Sequence, residues 1–364
     1  MKRLLLIDGN AILHRAYHAL PPLTNTKGEV VNGVYGFFSM LLTVMNDLKP
    51  ECVVVCFDRP KPTFRQTMYA GYQQHRPKMA DDLVPQVGIV HEMLAKMKIV
   101  VFEVDGYEAD DLIGTIATRA VADSHLSLVS DDAQQSRRGT VAPSSRPMSS
   151  SVQGGLRALD GTPSGRATPR ASGLEVIILT GDRDMLQLVN GRVKVLAPVV
   201  GVKNTILYDS AAVEEKYGIT PGQMVDYKAL VGDASDGYPG VAGVGPKTSA
   251  SLLQNYRTLE GIYEHIGELN PKLVRKLAQG SEQAALCKKL AAIVTDAPIT
   301  FKFDECLVSN FAIQDWIEAL GEQGFKSMRG RVETFFGLES SKKDENLKQG
   351  KKTEKKQIEQ LGLL

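Results

Sequence analysis

Residues 4–8 read Leu-Leu-Leu-Ile-Asp, a short apolar run that ends in an acid. Three further apolar runs are also followed by acids, at Cys52–Phe57, Ile99–Val104 and Val176–Leu179. Such runs are typical of buried strands in a parallel sheet. Stretches of helical length lie between them, for example at Tyr35–Leu48, Val84–Met97 and Ala109–Ala120. This alternation predicts an α/β domain with a doubly wound parallel sheet.

The composition bounds the class of protein. The chain has 364 residues, with 43 Lys and Arg against 42 Asp and Glu, which excludes a uniformly basic protein but not locally separated charge. No apolar run reaches the roughly 18 residues of a membrane span, and Asp8 interrupts the N-terminal run too early for a signal peptide. The four cysteines form no CxxC pair, as is usual in a reducing compartment. We therefore expect a soluble, cytoplasmic protein with no membrane association.

The composition also predicts the domain organisation. Residues 123–172 contain eleven Ser, five Gly and four Pro and no aromatic residue, so we predict a disordered insertion there. It divides an α/β domain that comprises residues 1–122 and 173–220. Residues 221–338 have helical patterns, and residues 339–364 form a Lys-rich flexible tail.

Acids follow every predicted strand. They are Asp8, Asp58, the group Glu108, Asp110 and Asp111, and the pair Asp182 and Asp184; Asp233 and Asp236 add two more. Any one of them could be a helix cap or a turn residue. Together they would place many negative charges at one sheet edge, which requires counter-charge. Oxygen ligands favour Mg²⁺, or Mn²⁺, so we predict a site for two metal ions of the kind that serves phosphoryl chemistry.

Two other segments suggest contacts with nucleic acid. Gly240–Thr248 is rich in glycine but has Pro246 where a P-loop needs Lys. It is interpreted either as a helix-hairpin-helix that binds a DNA backbone through Gly243, Gly245, Lys247 and Thr248, or as a plain turn between helices. Arg59–Ala80 combines basic and aromatic residues with no acid, a pattern that suits single-stranded nucleic acid, with a solvated basic helix as the alternative.

A set of motifs in a fixed order marks a resemblance. It includes Leu6-Ile-Asp-Gly-Asn10, Gly106-Tyr-Glu-Ala-Asp-Asp111, Leu179-Thr-Gly-Asp-Arg-Asp184 and the segment from Gly232 to Thr248. The chain resembles the bacterial 5′ nuclease family, meaning the 5′–3′ exonuclease domain of DNA polymerase I and the related flap endonucleases. The resemblance covers about residues 1–338 apart from the insertion, and we expect a free-standing, monomeric nuclease without a polymerase domain.

The resemblance implies a PIN-like fold with a helix–three-turn–helix DNA-binding region. It also implies a metal-dependent 5′–3′ exonuclease and flap endonuclease of replication and repair, acting on DNA with a 5′ flap, a nick or a single-stranded 5′ end. The nine acids take the family's metal-ligand positions: Asp8, Asp58, Glu108 and Asp110 at the first ion, and Asp182, Asp184 and Asp236 at the second, with Asp111 and Asp233 completing the set. Residues 59–85 correspond to a helical arch, with Arg65, Tyr69 and Tyr72 as substrate contacts and Arg76 and Lys78 as catalytic cations.

This sequence departs from the family pattern in the arch. Where a Lys is expected to face the scissile phosphate, Gln73 is present. One alternative is therefore a protein of the same fold that binds branched DNA with weakened catalysis. A PIN-type ribonuclease is a further alternative, although it would not need the Gly243–Thr248 anchor.

The last five residues, Gln360–Leu364, resemble the short peptide with which bacterial replication proteins contact the sliding clamp. Leu364 replaces the usual Phe. We predict clamp binding through this segment, with the Lys-rich stretch before it as a tether. The alternative is a frayed terminus.

Overall fold

A computed structural model describes residues 2–122, 173–200 and 204–338. The predicted insertion, residues 123–172, and the predicted tail with Gln360–Leu364 lie outside the described residues. Six strands are present in this part of the chain: β1 (Lys2–Asp8), β2 (Cys52–Cys56), β3 (Val100–Phe102), β4 (Leu174–Leu179), β5 (Val193–Val200) and β6 (Asn204–Tyr208).

The strands form one sheet in the order β3-β2-β1-β4-β5-β6. All neighbours are parallel except β5 and β6, which are antiparallel. The predicted parallel sheet is therefore confirmed, with an additional antiparallel strand at one edge. Chain order reverses next to β1, because β2 and β3 lie on one side of it and β4 and β5 on the other. In open α/β sheets, ligands bind in the crevice beside the carboxyl ends of the strands at such a reversal.

Thirteen α-helices lie within the described residues, one of them over 109–122, which we call α5. The others are α1 (Gly9–Ala19), α2 (Asn32–Leu48), α3 (Phe64–Met68), α4 (Val84–Lys96), α6 (Ser210–Tyr217), α7 (Met224–Val231), α8 (Pro246–Tyr256), α9 (Leu259–Glu264), α10 (Pro271–Gln279), α11 (Ser281–Ala291), α12 (Ile313–Glu322) and α13 (Lys326–Phe335). No helix in this part of the chain is long and apolar enough to span a membrane.

Helices cover both faces of the sheet, because side chains alternate along each strand. In β1, Leu5 and Ile7 point into a core shared with α1, α2 and α4. Leu4 and Leu6 point into the opposite core, which contains α5 and the helices from α7 to α11. The central strands are buried on both sides, as the continuous apolar runs predict.

The predicted helical region 221–338 is divided between these two faces. Its last two helices, α12 and α13, pack on the face of α1, α2 and α4, where Trp316 and Leu320 are fully buried. Arg331 of α13 donates hydrogen bonds to the hydroxyl groups of Ser39 and Thr43 on α2. The chain therefore passes from one face of the sheet to the other between α11 and α12.

The segment predicted as a helical arch, residues 59–85, contains little helix. Only α3 is helical before α4 begins, and the rest is turns and irregular chain. Pro60, Pro62 and Pro77 explain this, because proline lacks the amide hydrogen that a continuous helix needs. In this structure the segment is a folded loop rather than a helix.

Candidate active site

The ends of β1 and β4 are tied together by one threonine. Asp8 is the N-cap of α1, and its Oδ1 accepts a hydrogen bond from the amide of Ala11 at 2.9 Å. Its Oδ2 accepts one from the hydroxyl of Thr180 at 2.7 Å, and the same hydroxyl accepts from the amide of Asp182 at 2.9 Å. Thr180 therefore fixes both carboxylate-bearing segments next to the reversal in chain order.

Asp58, after β2, is positioned by two hydrogen bonds, one to its side chain and one from its backbone amide. Its Oδ1 accepts a hydrogen bond from the amide of Ala109 at 2.7 Å, at the first residue of α5. Its own amide donates to Asn10 Oδ1 at 3.1 Å. These bonds bring Asp58 to the N-terminus of α5, where Glu108 and Asp110 lie. We call Asp8, Asp58, Glu108 and Asp110 the first carboxylate cluster.

The acids of the first cluster are close enough to alter one another's ionisation. Burial, followed by the charge of Asp58, raises the pKa of Asp8 to about 7. Burial, followed by the charges of Asp182 and Asp8, raises the pKa of Asp110 well above its ordinary value. Burial also raises the pKa of Glu108 to about 7, although Arg65 opposes the shift. These shifts mean that the cluster resists full ionisation without added positive charge.

Asp184, Asp233 and Asp236 form a second carboxylate cluster. Each contributes an oxygen, and these atoms lie within 4.8 Å of one another. Burial is the main cause that raises the pKa of Asp184 to about 7, and the charge of Asp182 adds to it. The charge of Asp182 also contributes to the raised pKa values of Asp110 and Asp236, after burial in both cases. Asp182 therefore lies close enough to acids of both clusters for its charge to affect their ionisation.

The two clusters differ in their counter-charges. Lys228 forms ion pairs with Asp184 and Asp233, and Arg76 Nη2 lies 2.8 Å from Asp236 Oδ1. In the first cluster, Arg65 pairs with Glu108 at 3.1 Å. Among the described residues, the remaining three acids of the first cluster and Asp182 have no ion pair with a basic side chain.

This donor set fits a hard divalent cation. The donors are carboxylate oxygens, and several of them are buried. Excess negative charge in a buried site requires a cation, and oxygen-only donors suit Mg²⁺ or Mn²⁺ better than a metal that prefers nitrogen or sulfur. Eight of the nine predicted ligands therefore lie close enough to alter one another's ionisation, and among the described residues the three acids of the second cluster have oxygens within 4.8 Å of one another.

The ninth, Asp111, has a different role. It is fully buried, and Arg65 binds both of its oxygens at 2.8 Å. The same carboxylate accepts hydrogen bonds from the amides of Glu108 and Val294. With these partners Asp111 connects α5 to the segment after α11, and this placement does not fit the predicted ligand role.

Arg65, which was predicted to contact DNA, is also buried. It is 2% exposed, and its remaining donors bond to the carbonyl oxygens of Leu290 and Ala292 at 2.9 and 2.8 Å. Tyr72 is also buried, and its hydroxyl donates to Glu108 Oε2 at 3.1 Å. Neither side chain is placed to contact DNA in this structure. Tyr69, half-buried, is the most accessible of the three predicted substrate contacts in this loop.

The loop over 69–78 covers the second cluster. The amide of Gln73 donates to the carbonyl oxygen of Asp236 at 2.8 Å, and its side chain reaches Asp236 Oδ1 at 3.2 Å. Arg76 binds the same oxygen, while its side chain remains 47% exposed. Lys78 is exposed. Of the two predicted catalytic cations, the structure thus places Arg76 in contact with the acids.

The predicted backbone anchor lies in the turn between α7 and α8. Gly243 has φ +75°, a conformation that favours glycine, and Gly245 is the N-cap of α8. Lys247 is exposed and Thr248 half-exposed at the start of that helix. Lys276 of α10 donates to the carbonyl oxygen of Gly243 at 2.8 Å, so it adds a positive charge next to the turn.

Sequence reasoning missed Lys228, Lys276 and Thr180. No local motif identifies the two lysines. A lysine in the last turn of a helix, such as Lys228 in α7, is ordinarily explained by the helix dipole. The position of Thr180, two residues before Asp182 at a strand end, was the one available signal.

Comparisons with known proteins indicate the family to which the chain is related. A family described as the 5′–3′ exonuclease N-terminal resolvase-like domain matches residues 3–136, and the 5′–3′ exonuclease C-terminal SAM fold matches residues 219–314. The chain is 33% identical over 332 residues to DNA polymerase I of Caldicellulosiruptor bescii, and the aligned region covers 91% of this chain and 33% of that protein. It is 37% identical over 303 residues to DNA polymerase I of Deinococcus radiodurans, which covers 82% of this chain and 26% of that protein.

Solved structures share the fold. The 5′-exonuclease of phage T5 with bound zinc ions matches with a TM-score of 0.55 at 15% identity, over 93% of this chain and 99% of that one. The chain spans about a third or less of the length of the polymerases that it matches. Both domain matches occur in order and together cover more than half of the sequence. The chain therefore belongs to the 5′–3′ exonuclease family, whose members are hydrolases that act on DNA.

Proposed function

We propose that this protein is a divalent-metal-dependent 5′ nuclease that cleaves DNA with a 5′ flap, a nick or a single-stranded 5′ end. The observation that supports this most directly is the pair of adjacent, partly buried carboxylate clusters, whose acids follow β1, β2, β4 and α7 and lie at the start of α5. Ions held there, two Mg²⁺ or Mn²⁺ in our proposal, would activate a water molecule and stabilise the attacking and leaving oxygens of a phosphodiester.

The chain's own residues orient that site. Thr180, Ala11 and Ala109 hold Asp8 and Asp58 through hydrogen bonds, so these carboxylates need little rearrangement to bind a cation. In our proposal Asp8, Asp58, Glu108 and Asp110 bind the first ion, and Asp182, Asp184 and Asp236 bind the second. Preorganised ligands of this kind favour developing charge in the transition state.

The substrate backbone would be held at two places. Arg76 is half-exposed beside the second cluster, where its guanidinium can approach a phosphate. On the other side, the turn at Gly243–Gly245 and the start of α8 present backbone amides and Lys247, which suits a duplex phosphate without reading bases. Lys276 would strengthen this contact. The two places would fix the duplex and present its 5′ strand to the acids.

An Asp182→Ala variant tests the proposal. Because we propose that Asp182 binds the second ion, its loss should lower the rate of 5′-flap cleavage in Mg²⁺ by roughly a hundredfold to ten-thousandfold, equivalent to several kcal/mol of transition-state stabilisation. Binding of the same flap DNA should change by only a few-fold, because phosphate contacts elsewhere remain. Asp315→Ala, at an exposed acid of α12, is the matched control and should cleave normally.

Cleavage of the flap at the normal rate by Asp182→Ala would refute the site assignment. If the unaltered protein bound flap DNA but cleaved none in Mg²⁺ at high enzyme concentration, the non-catalytic DNA-binding alternative would replace it. Loss of cleavage on addition of a chelator is the expected result for the unaltered protein.

A further inference from the structure

The two carboxylate clusters are compensated in different ways. Asp8, Asp58, Asp110 and Asp182 pair with no basic side chain among the described residues, as reported above. Every acid of the second cluster pairs with one: Asp184 and Asp233 with Lys228, and Asp236 with Arg76. Two cations of the protein itself therefore already occupy positions around the second cluster.

Lys228 is the more deeply placed of these two cations. It lies in α7, its side chain is 13% exposed, and its ammonium contacts one oxygen of Asp184 and one of Asp233. Arg76, by contrast, approaches from a surface loop with a side chain that is 47% exposed. The ammonium of Lys228 thus lies between two of the three carboxylates that could together hold one ion.

We propose that Lys228 is a resident cation of the second cluster, and that a divalent ion binds there only by displacing its ammonium. The proposal rests on the proposed function, because it concerns the second of the two expected ions. It follows that an ion binds more weakly at the second cluster than it would without Lys228, and we expect the first cluster, where three of the four acids pair with no basic side chain among the described residues, to bind its ion more tightly. Lys228 is in this sense a positioning residue: it holds Asp184 and Asp233 together until the ion arrives.

Electrostatics and the flexibility of the lysine side chain both indicate that the divalent ion displaces the Lys228 ammonium and does not bind beside it. A monovalent and a divalent cation that share two carboxylates within a few ångströms repel each other strongly in a partly buried site. A lysine can respond, because its charge sits at the end of a flexible four-carbon stem. When the ammonium leaves, the charge it compensated is taken over by the ion.

A binding experiment that does not depend on activity tests this. We would titrate the full chain with Mn²⁺ and measure free Mn²⁺ by its electron paramagnetic resonance signal. The unaltered protein should show one tight and one weak site. Lys228→Met should increase the affinity of the weak site at least about tenfold, which corresponds to about 1.4 kcal/mol.

Lys288→Met is the matched control. Lys288 also bridges two acids of the helical region, Asp226 and Glu260, both at 2.7 Å, but it lies outside the carboxylate clusters. Its replacement should leave both Mn²⁺ affinities unchanged. Asp110→Asn should weaken the tight site while the weak site remains.

A second measurement needs no variant of Lys228. Acetylation of lysines in the unaltered protein, followed by peptide mass spectrometry, should show that Lys228 becomes more reactive at the Mn²⁺ concentration that fills the weak site. Lys288 should keep its reactivity. Constant reactivity of Lys228 throughout the titration would overturn the proposal, as would an unchanged weak site in Lys228→Met. Absence of any Mn²⁺ binding by the unaltered protein would instead refute the proposed metal dependence itself.

Discussion

Replacing Arg65 by Met should destabilise the fold rather than weaken DNA binding selectively. Arg65 is 2% exposed and donates to Asp111, Glu108 and the carbonyl oxygens of Leu290 and Ala292. Without its charge, the carboxylate of Asp111 would be buried and unpaired. Removing one partner of a buried ion pair costs about 3–5 kcal/mol, and each buried carbonyl left without a donor adds roughly 1 kcal/mol or more. We therefore expect a loss of at least about 4 kcal/mol, a large share of the roughly 5–15 kcal/mol that stabilises a typical domain.

Urea unfolding followed by circular dichroism measures this loss as a lower midpoint. Arg59→Met is the control, because Arg59 pairs with Asp105 and Glu103 at the surface, and it should cost no more than about 1 kcal/mol. The double variant Arg65→Met, Asp111→Leu should lose less unfolding free energy than the two single variants lose in sum. The difference should be about 2 kcal/mol, because the double variant leaves no unpaired charge between these two positions.

The reasoning would be refuted by an Arg65→Met protein with a normal urea midpoint. If that protein also lost affinity for single-stranded DNA, Arg65 would be the substrate contact that the sequence pattern predicts. The structure would then have captured an arrangement that changes when DNA binds.

Three further predictions concern other parts of the molecule. Burial raises the pKa values of Asp8, Glu108 and Asp184 to about 7, so the folded protein without metal binds more protons than the unfolded chain. In EDTA its melting temperature should therefore fall as the pH rises from about 4 to 8, and Mg²⁺ should restore the melting temperature most strongly at pH 8. A melting temperature that does not change with pH would contradict these shifts. Gln73→Lys should increase turnover on a 5′ flap, because a point charge would face the phosphate; unchanged or lower turnover would mean that another cation already fills this role. Calorimetric titration of the cognate sliding clamp should show binding that is lost when residues Gln360–Leu364 are removed, and equal binding with and without them would exclude the proposed contact.

The sequence was sufficient to predict the four central strands, because a local run of apolar residues marks each of them. Each of the four predicted strands appears within about two residues of its predicted ends, as expected for uninterrupted apolar runs. Strand β5 was not predicted, since Pro198 interrupts its pattern; in the structure this residue lies beyond the register with β4. Strand β6 is an exposed edge strand, with Ile206 and Leu207 both more than 40% exposed, and it lacks the alternation that marks a half-buried strand.

At the site, the acids could be predicted and their partners could not. Carboxylates at the ends of parallel strands must share one edge, which follows from topology alone. The partners of Arg65 lie up to 227 positions away in the chain, and no local pattern encodes a bond of that range. The basic and aromatic pattern around Arg65 and Tyr72 was therefore interpreted as a DNA surface, although both side chains are buried against Glu108. The domain limits remain predictions.

Helices α12 and α13 pack on the face of the sheet that α1, α2 and α4 cover, and this packing determines which fragments of the protein can be expected to fold alone. The matched C-terminal family ends at residue 314, the second residue of α12. A fragment cut there would lack Trp316, Leu320, Met328 and Val332, all of which are fully buried in the core shared with α1, α2 and α4. It would expose the apolar surface of α2 and α4 to water, and such surface promotes aggregation. Recombinant fragments that keep the nuclease site intact should therefore extend past α13, even though the carboxylates, the loop over them and the Gly243 turn all precede residue 250.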